Sequence, residues 1–231
     1  MASEKGNWHT LSAEDVLKEL GADLEKGLSA GEVRKRREEY GANQLREAKK
    51  RSPWAILLDQ MKSMVIIILA VAGLIAFSFG RLPEGFAIAA VIIVNTTIGF
   101  VSEWKAMRSM EALRKLGKRS TRVLRDGRGR ELPVPQLVPG DIVIQEAGDL
   151  VPADLRLVEA NNLRVNEAAL TGESVSANKR LEPVKEDAPL AERHNMLYKG
   201  TTITEGSAFA VVIATGMNTE LGRISELAQG E

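Results

Sequence analysis

The sequence predicts an α+β protein, a transmembrane α-helical hairpin combined with a cytoplasmic β-rich domain and N-terminal helices. Three observations predict this. Two charge-free apolar spans lie at 63–80 and 85–102, short alternating runs fill the chain from 118 to 228, and two capped helical patterns occupy residues 1–50.

Composition narrows the chemistry. The 231 residues allow one or two domains. Lys and Arg total 31, balanced by 31 Asp and Glu. A nucleic-acid partner is not expected, because such proteins carry a basic excess. There is no Cys, so disulfides, thiolate metal sites and a cysteine nucleophile are excluded. Two histidines, His9 and His194, are too few for a multi-His metal site. Neither G-x-x-x-x-G-K-[ST] nor G-x-G-x-x-G occurs. No metal-binding or cofactor-binding residue is therefore expected in this chain.

In the N-terminal region 1–50, Ser12-Ala-Glu-Asp15 and Ser29-Ala-Gly-Glu32 each fit a capping box. Gly21 and Gly41 stand where the two helices should stop. The basic run Arg34–Arg37 is followed by Glu38 and Glu39, and reads as a solvated face.

Each apolar span, 18 residues long, would cover roughly 27 Å as a helix, against about 30 Å for a bilayer core. The connection Arg81-Leu82-Pro83-Glu84 is short enough only for a tight hairpin. Its Arg81 is offset by Glu84. The outer flanks are basic, with Lys49, Lys50, Arg51 and Lys62 before the spans and Lys105, Arg108, Arg114 and Lys118 after them. The positive-inside bias puts both chain ends in the cytoplasm, as a multi-pass protein in the lipid bilayer. Mid-span Asn95, Thr96 and Thr97 read as interhelical hydrogen-bonding groups, worth about 0.6 kcal/mol each, with an ion ligand as the sharper alternative.

The second helix should continue as a cytoplasmic stalk over 103–117. Val101, Trp104, Met107, Met110, Leu113 and Leu116 recur every three residues, and Gly117 should end it.

Beyond it the period changes. Thr121–Arg125 meets Asp126-Gly127, a hairpin signal. Asp141–Ile144, Leu155–Val158 and Leu163–Val165 read as strands. Thr201–Ile203 and Ala208–Ile213 flank Glu205-Gly206, which reads as a further turn, and a last helix should start near Asn218.

The β-rich segment carries three loops dense in Gly and acid. Pro139-Gly140-Asp141 and Gly148–Asp154 read as turns, since Pro fixes φ and Asp bonds local backbone. The third, Thr171-Gly172-Glu173-Ser174, differs. Gly172 removes a side chain beside a carboxylate, and an exposed Glu173 could orient and deprotonate a water.

In context, Asn166-Glu-Ala-Ala-Leu-Thr-Gly-Glu-Ser174 resembles the actuator-domain signature of P-type cation-transporting ATPases. Pro139–Val143, Gly148–Asp154 and Thr215–Gly222 match further actuator motifs in order. Tyr40-Gly41-Ala42-Asn43 looks like the family's N-terminal region, and the hairpin like its first two membrane helices. The resemblance covers nearly the whole chain. Thr171–Ser176 followed by Glu182-Pro183-Val184 is similar to calcium pumps of the type II group. Asn166 and Ala168 depart from the commoner Asp and Ser, and Lys62 stands where some calcium pumps carry an acid.

The resemblance implies a distorted jelly-roll actuator whose loop promotes hydrolysis of an aspartyl phosphate. Glu173 would activate the attacking water, Gly172 would permit close approach, and Thr171 and Ser174 would hold the loop. ATP and Mg²⁺ would serve the intact pump. Its partners would be the phosphorylation and nucleotide-binding domains, later membrane helices and the transported cation, with Ca²⁺ favoured over Na⁺, K⁺ or H⁺. The chain contains no D-K-T-G-T motif and no third apolar span, so it looks like the amino-terminal quarter of a pump and is expected to be inactive alone. The alternative is a stand-alone membrane-anchored β module that binds or regulates a partner without catalysis.

Overall fold

The computed structural model describes residues 7–46, 52–116, 120–172 and 175–229. The chain forms two compact units, Met1–Arg46 with Arg119–Glu231, and Glu47–Lys118.

In the first unit, α1 (Ala13–Leu20) begins where the Ser12 hydroxyl accepts the Asp15 amide. The second helix, α2 (Ala30–Tyr40), begins with a reciprocal capping box between Ser29 and Glu32. Gly21 and Gly41 end these helices.

The sheet is antiparallel. It comprises β1 (Ser120–Arg125), β2 (Arg128–Pro133), β3 (Ile142–Glu146), β4 (Asp154–Asn166), β5 (Ala177–Asn178), β6 (Met196–Leu197) and β7 (Thr202–Ala214). The order is β2-β1-β3-β7-β4-β5, and β6 pairs with β4. Asp126-Gly127 makes the β1–β2 turn and sets Arg125 opposite Arg128.

Leu155–Val158 and Leu163–Val165, expected as separate strands, belong to the single strand β4. The expected Glu205-Gly206 turn is likewise absent. β7 runs straight through it, and the register against β4 shifts between Asn161 and Arg164. Gly206 has φ 80°, and a Cβ there would collide with the carbonyls of Asn161 and Asn162. The glycine signal marks a bulge where two backbones approach, not a chain reversal. The last helix, α7 (Glu220–Gln229), starts at Glu220, after a 3₁₀ turn at Gly216–Asn218.

One sheet face buries Val123, Val143, Leu155, Leu157, Ile203 and Val212. The other buries Ile142, Val158 and Val211 under Val16 of α1, with Leu17 and Leu20 alongside. Helix α1 thus covers a sheet face.

A buried guanidinium fastens this arrangement. Arg156, fully buried, donates from Nε to the Trp8 carbonyl at 3.1 Å. Its Nη1 donates to Leu157 at 2.7 Å and Asn195 at 3.4 Å. Its Nη2 donates to Leu11 at 2.7 Å and Leu181 at 2.9 Å. Every one of these acceptors is a main-chain carbonyl. Burial pushes the Arg156 pKa down to about 10.

The second unit is helical: α3 (Pro53–Met61), α4 (Met64–Ser78) and α5 (Leu82–Leu116). Sequence reading misses α3. It also misplaces the hairpin turn, because Leu82-Pro83-Glu84 already belongs to α5. Proline lacks an N–H that the first helical turn would leave unpaired anyway. The turn is Phe79–Arg81, where the amides of Gly80 and Arg81 donate to Phe77 and Ala76 in a Schellman cap. That cap and the break at Lys62-Ser63 leave α4 with 15 residues, about 22 Å, rather than 18. Among the described residues one helix is long and apolar enough to cross a membrane, Leu82–Arg108. Phe77 and Phe86 meet edge to face at 5.5 Å between α4 and α5. The Thr97 hydroxyl donates to the Ile93 carbonyl of its own helix, not across helices. Helix α5 continues over the expected stalk as far as Leu116; Gly117 lies outside the described residues.

Candidate functional site

The segment leading to Thr171 begins where β4 ends. The Asn166 Oδ1 accepts the Ala168 amide at 3.0 Å and starts a single turn, α6 (Ala168–Thr171). The Glu167 carbonyl accepts the amides of Leu170 at 2.9 Å and Thr171 at 3.0 Å, and the Thr171 hydroxyl at 3.2 Å. The Gly172 amide donates to Ala168 at 3.0 Å. Gly172 closes the turn in the left-handed region, φ 77° and ψ −3°. A Cβ there would meet nothing among the described residues within 4 Å. Within this chain the glycine answers to backbone conformation rather than to crowding. Thr171 is half-buried and Gly172 exposed. Glu173 and Ser174 lie outside the described residues.

Beneath the turn sits a buried ion pair. The Lys179 Nζ donates to Glu167 Oε1 at 2.6 Å, with the two side chains 0% and 4% exposed. Strand pairing brings them together. Arg164 and Val165 of β4 face Asn178 and Ala177 of β5, and the Lys179 amide donates to the Leu163 carbonyl at 3.0 Å. Burial pushes the Lys179 pKa down, opposed by the Glu167 charge and hydrogen bond.

The other acid-rich loops are architectural. Asp141, fully buried, takes a bidentate pair from Arg125, Nε at 2.8 Å and Nη2 at 2.6 Å, and accepts the Val138 amide. Arg36 of α2 donates to the carbonyls of Pro139 at 2.8 Å and Leu20 at 2.6 Å, so one member of the basic run is a clamp. Asp149 accepts the Glu146 amide and closes its turn. Asp154 accepts the amides of Lys199 at 2.9 Å and Glu220 at 2.7 Å, the latter in the first turn of α7. Burial raises its pKa to about 6 against those two hydrogen bonds. Asn43 is a second clasp. Its Nδ2 donates to Val134 and Pro152, and its Oδ1 accepts from Lys199 Nζ and the Gly216 amide. Among the described residues no group of three or more His, Asp or Glu side chains could hold a metal ion.

Two family models match in sequence order. The cation transporter/ATPase N-terminus matches residues 8–76, and the P-type ATPase actuator domain matches residues 115–229. The chain belongs to the P-type cation-transporting ATPases.

The chain is 37% identical over 223 residues to a calcium-transporting ATPase of Bacillus subtilis, covering 96% of this chain and 25% of that protein. It is 40% identical over 219 residues to a probable cation-transporting ATPase F of Mycobacterium tuberculosis, covering 95% and 24%. A cation-transporting ATPase of Synechocystis is 41% identical over 218 residues, covering 94% and 24%. The chain therefore spans about a quarter of the length of these P-type ATPases.

Within the actuator domain, two residues singled out from sequence, Thr171 and Gly172, stand together at the end of α6. Glu167 and Lys179 were not found by sequence reading. They are separated by the whole loop, and no periodicity links a residue after one strand to a residue after another. The sequence signal was a Glu and a Lys flanking T-G-E-S, which is indistinguishable from ordinary surface charge until burial is known.

Proposed function

We propose that this chain supplies the first membrane hairpin and the actuator of an ATP-driven cation pump, and that its Thr171–Ser174 loop promotes hydrolysis of an aspartyl phosphate carried elsewhere in that pump. The observation that carries this reading is the pair of ordered family matches, with T-G-E-S falling inside the actuator match and its Thr171-Gly172 ending a glycine-closed turn. Glu173 positions a water and takes its proton as the water oxygen bonds to phosphorus. The bond between phosphorus and the aspartyl oxygen breaks, and inorganic phosphate leaves. Gly172 lets the loop approach, and Thr171 and Ser174 hold it.

ATP and Mg²⁺ serve the rest of the pump. The described residues offer no acidic cluster that fits a metal, and no step assigned to this chain runs through either. The cargo we favour is Ca²⁺, after the names of relatives such as the Bacillus subtilis protein. Helix α4 and the apolar part of α5 lie in a lipid bilayer with both chain ends cytoplasmic, a topology supported by outward-facing Ile68, Leu74, Phe86 and Ile93 and by the basic flanks.

The test is Glu173→Gln in an intact pump. Gln keeps the size and a hydrogen-bond acceptor but cannot take a proton. Phosphorylation by ATP should persist, while pulse-chase decay of the labelled phosphoenzyme slows by about 10²–10⁴-fold. Decay at the wild-type rate would refute the role.

A further inference from the structure

Glu167 is held at two levels. Its main-chain carbonyl receives three donors from the turn that ends in Gly172, and its carboxylate receives the Lys179 ammonium. Lys179 is itself fixed from the far side, because its amide belongs to the hydrogen bonding between β4 and the segment following β5. The pair therefore bridges the chain entering the loop and the chain leaving it.

We propose that the buried Glu167–Lys179 pair is a positioning anchor for the Thr171–Gly172 turn and, resting on the function proposed above, for the loop that follows. Two physical arguments support this. First, α6 is a single helical turn, and an isolated turn does not hold itself, since nucleation fixes several residues for very few hydrogen bonds. Something outside the turn must set its orientation. Second, two buried charges are a poor device for stability alone, because desolvation offsets most of their attraction and an apolar pair of like volume often does as well. What an ion pair adds is direction. It fixes one carboxylate on one ammonium at 2.6 Å, where apolar side chains could slide. Glu167 lies five residues before Gly172, so a shift in it moves the carbonyl that the turn hangs from.

Amide hydrogen exchange on the 231-residue chain in detergent micelles tests the anchor. Lys179→Met takes the ammonium away from a buried carboxylate, and Leu170, Thr171 and Gly172 should exchange about tenfold faster or more. The β7 amides at Ala210–Val212 should keep their protection. The deciding variant removes both charges together, Glu167→Leu with Lys179→Met, so that neither is left buried without the other. It should keep the wild-type unfolding midpoint yet still exchange fast at 170–172. Slow, wild-type exchange there in the double variant would overturn the proposal, since packing alone would then suffice. Equal loss of protection across β7 would overturn it too.

In an intact pump, the double variant should slow phosphoenzyme decay about ten- to a hundredfold with phosphorylation retained, as misplacement of a reacting group does. Wild-type decay there, in a pump where Glu173→Gln is slow, would overturn the positioning role. Wild-type decay in Glu173→Gln would instead overturn the proposed function, and the exchange comparison alone would then decide whether the anchor exists.

Discussion

Leu155 and Leu157 of β4 are fully buried, whereas Leu74 of α4 and Ile93 of α5 are 67% and 65% exposed. The sheet-bearing unit closes its apolar surface on itself and encloses polar groups, Arg156, Asp141 and Asp154, with their partners supplied from within. The helical unit satisfies its backbone inside each helix and turns its apolar side chains outward. Soluble monomers rarely display apolar surface on this scale. One chain thus carries two solutions to the same problem, one suited to water and the other to an apolar solvent. Each is exposed to a different kind of damage.

The largest effect should come from removing a donor inside the sheet-bearing unit. Arg156→Met strips the carbonyls of Trp8, Leu11 and Leu181 of their guanidinium partners. We expect a loss of about 3–5 kcal/mol, each orphaned carbonyl costing about 1–3 kcal/mol and relief of the guanidinium's own desolvation returning part of it. Urea unfolding followed by Trp8 fluorescence would measure it. An unchanged midpoint would mean that these carbonyls find water.

In the helical unit the matching damage is a charge. Leu69→Lys should impair membrane insertion by about 2.5–3.5 kcal/mol, read by protease protection in vesicles. Undiminished insertion would contradict the bilayer assignment of α4.

Asp154 sharpens the comparison through pH. Its folded pKa, about 6, lies above the ordinary 3.8, so the folded state holds the proton more tightly. The resulting stability is fully present below pH 3.8 and is lost as pH rises through 6. Relative to Asp154→Asn, the wild type should lose about 2–3 kcal/mol between pH 4 and pH 6, from two pKa units at about 1.4 kcal/mol each. Parallel stability curves for the two proteins over that window would refute the shift.

The smallest effect belongs to Gly172→Ala. With open space around the Cβ, the variant should lose only about 1 kcal/mol, the strain of a left-handed residue. A larger drop in the unfolding midpoint would reveal crowding in the folded chain.

The elements legible in the sequence were those written in short range. Ser12 and Ser29 cap helices through bonds spanning three residues, and Asp126-Gly127 reverses the chain between adjacent strands. Glu205-Gly206 carries the same local signal with the opposite outcome, because what decides it is the backbone of Asn161 and Asn162 some forty positions away. Pro83 misled in a similar way, being tolerated in a first helical turn where it reads as a loop. At the candidate site, the T-G-E-S motif announced Thr171 and Gly172, while the Glu167–Lys179 anchor stayed hidden because it exists only once β4 and β5 have paired.

Arg156 carries a consequence for the history of the sequence. Its five acceptors are carbonyls, which every amino acid supplies, so the guanidinium recognises the path of the chain at Trp8, Leu11, Leu157, Leu181 and Asn195 and is blind to the side chains there. Those positions are free to drift without any compensating change at Arg156. Correlated substitution, the usual trace of residues in contact, would leave no mark of this clasp, while an inserted or deleted residue that displaced one of those carbonyls would be felt at once.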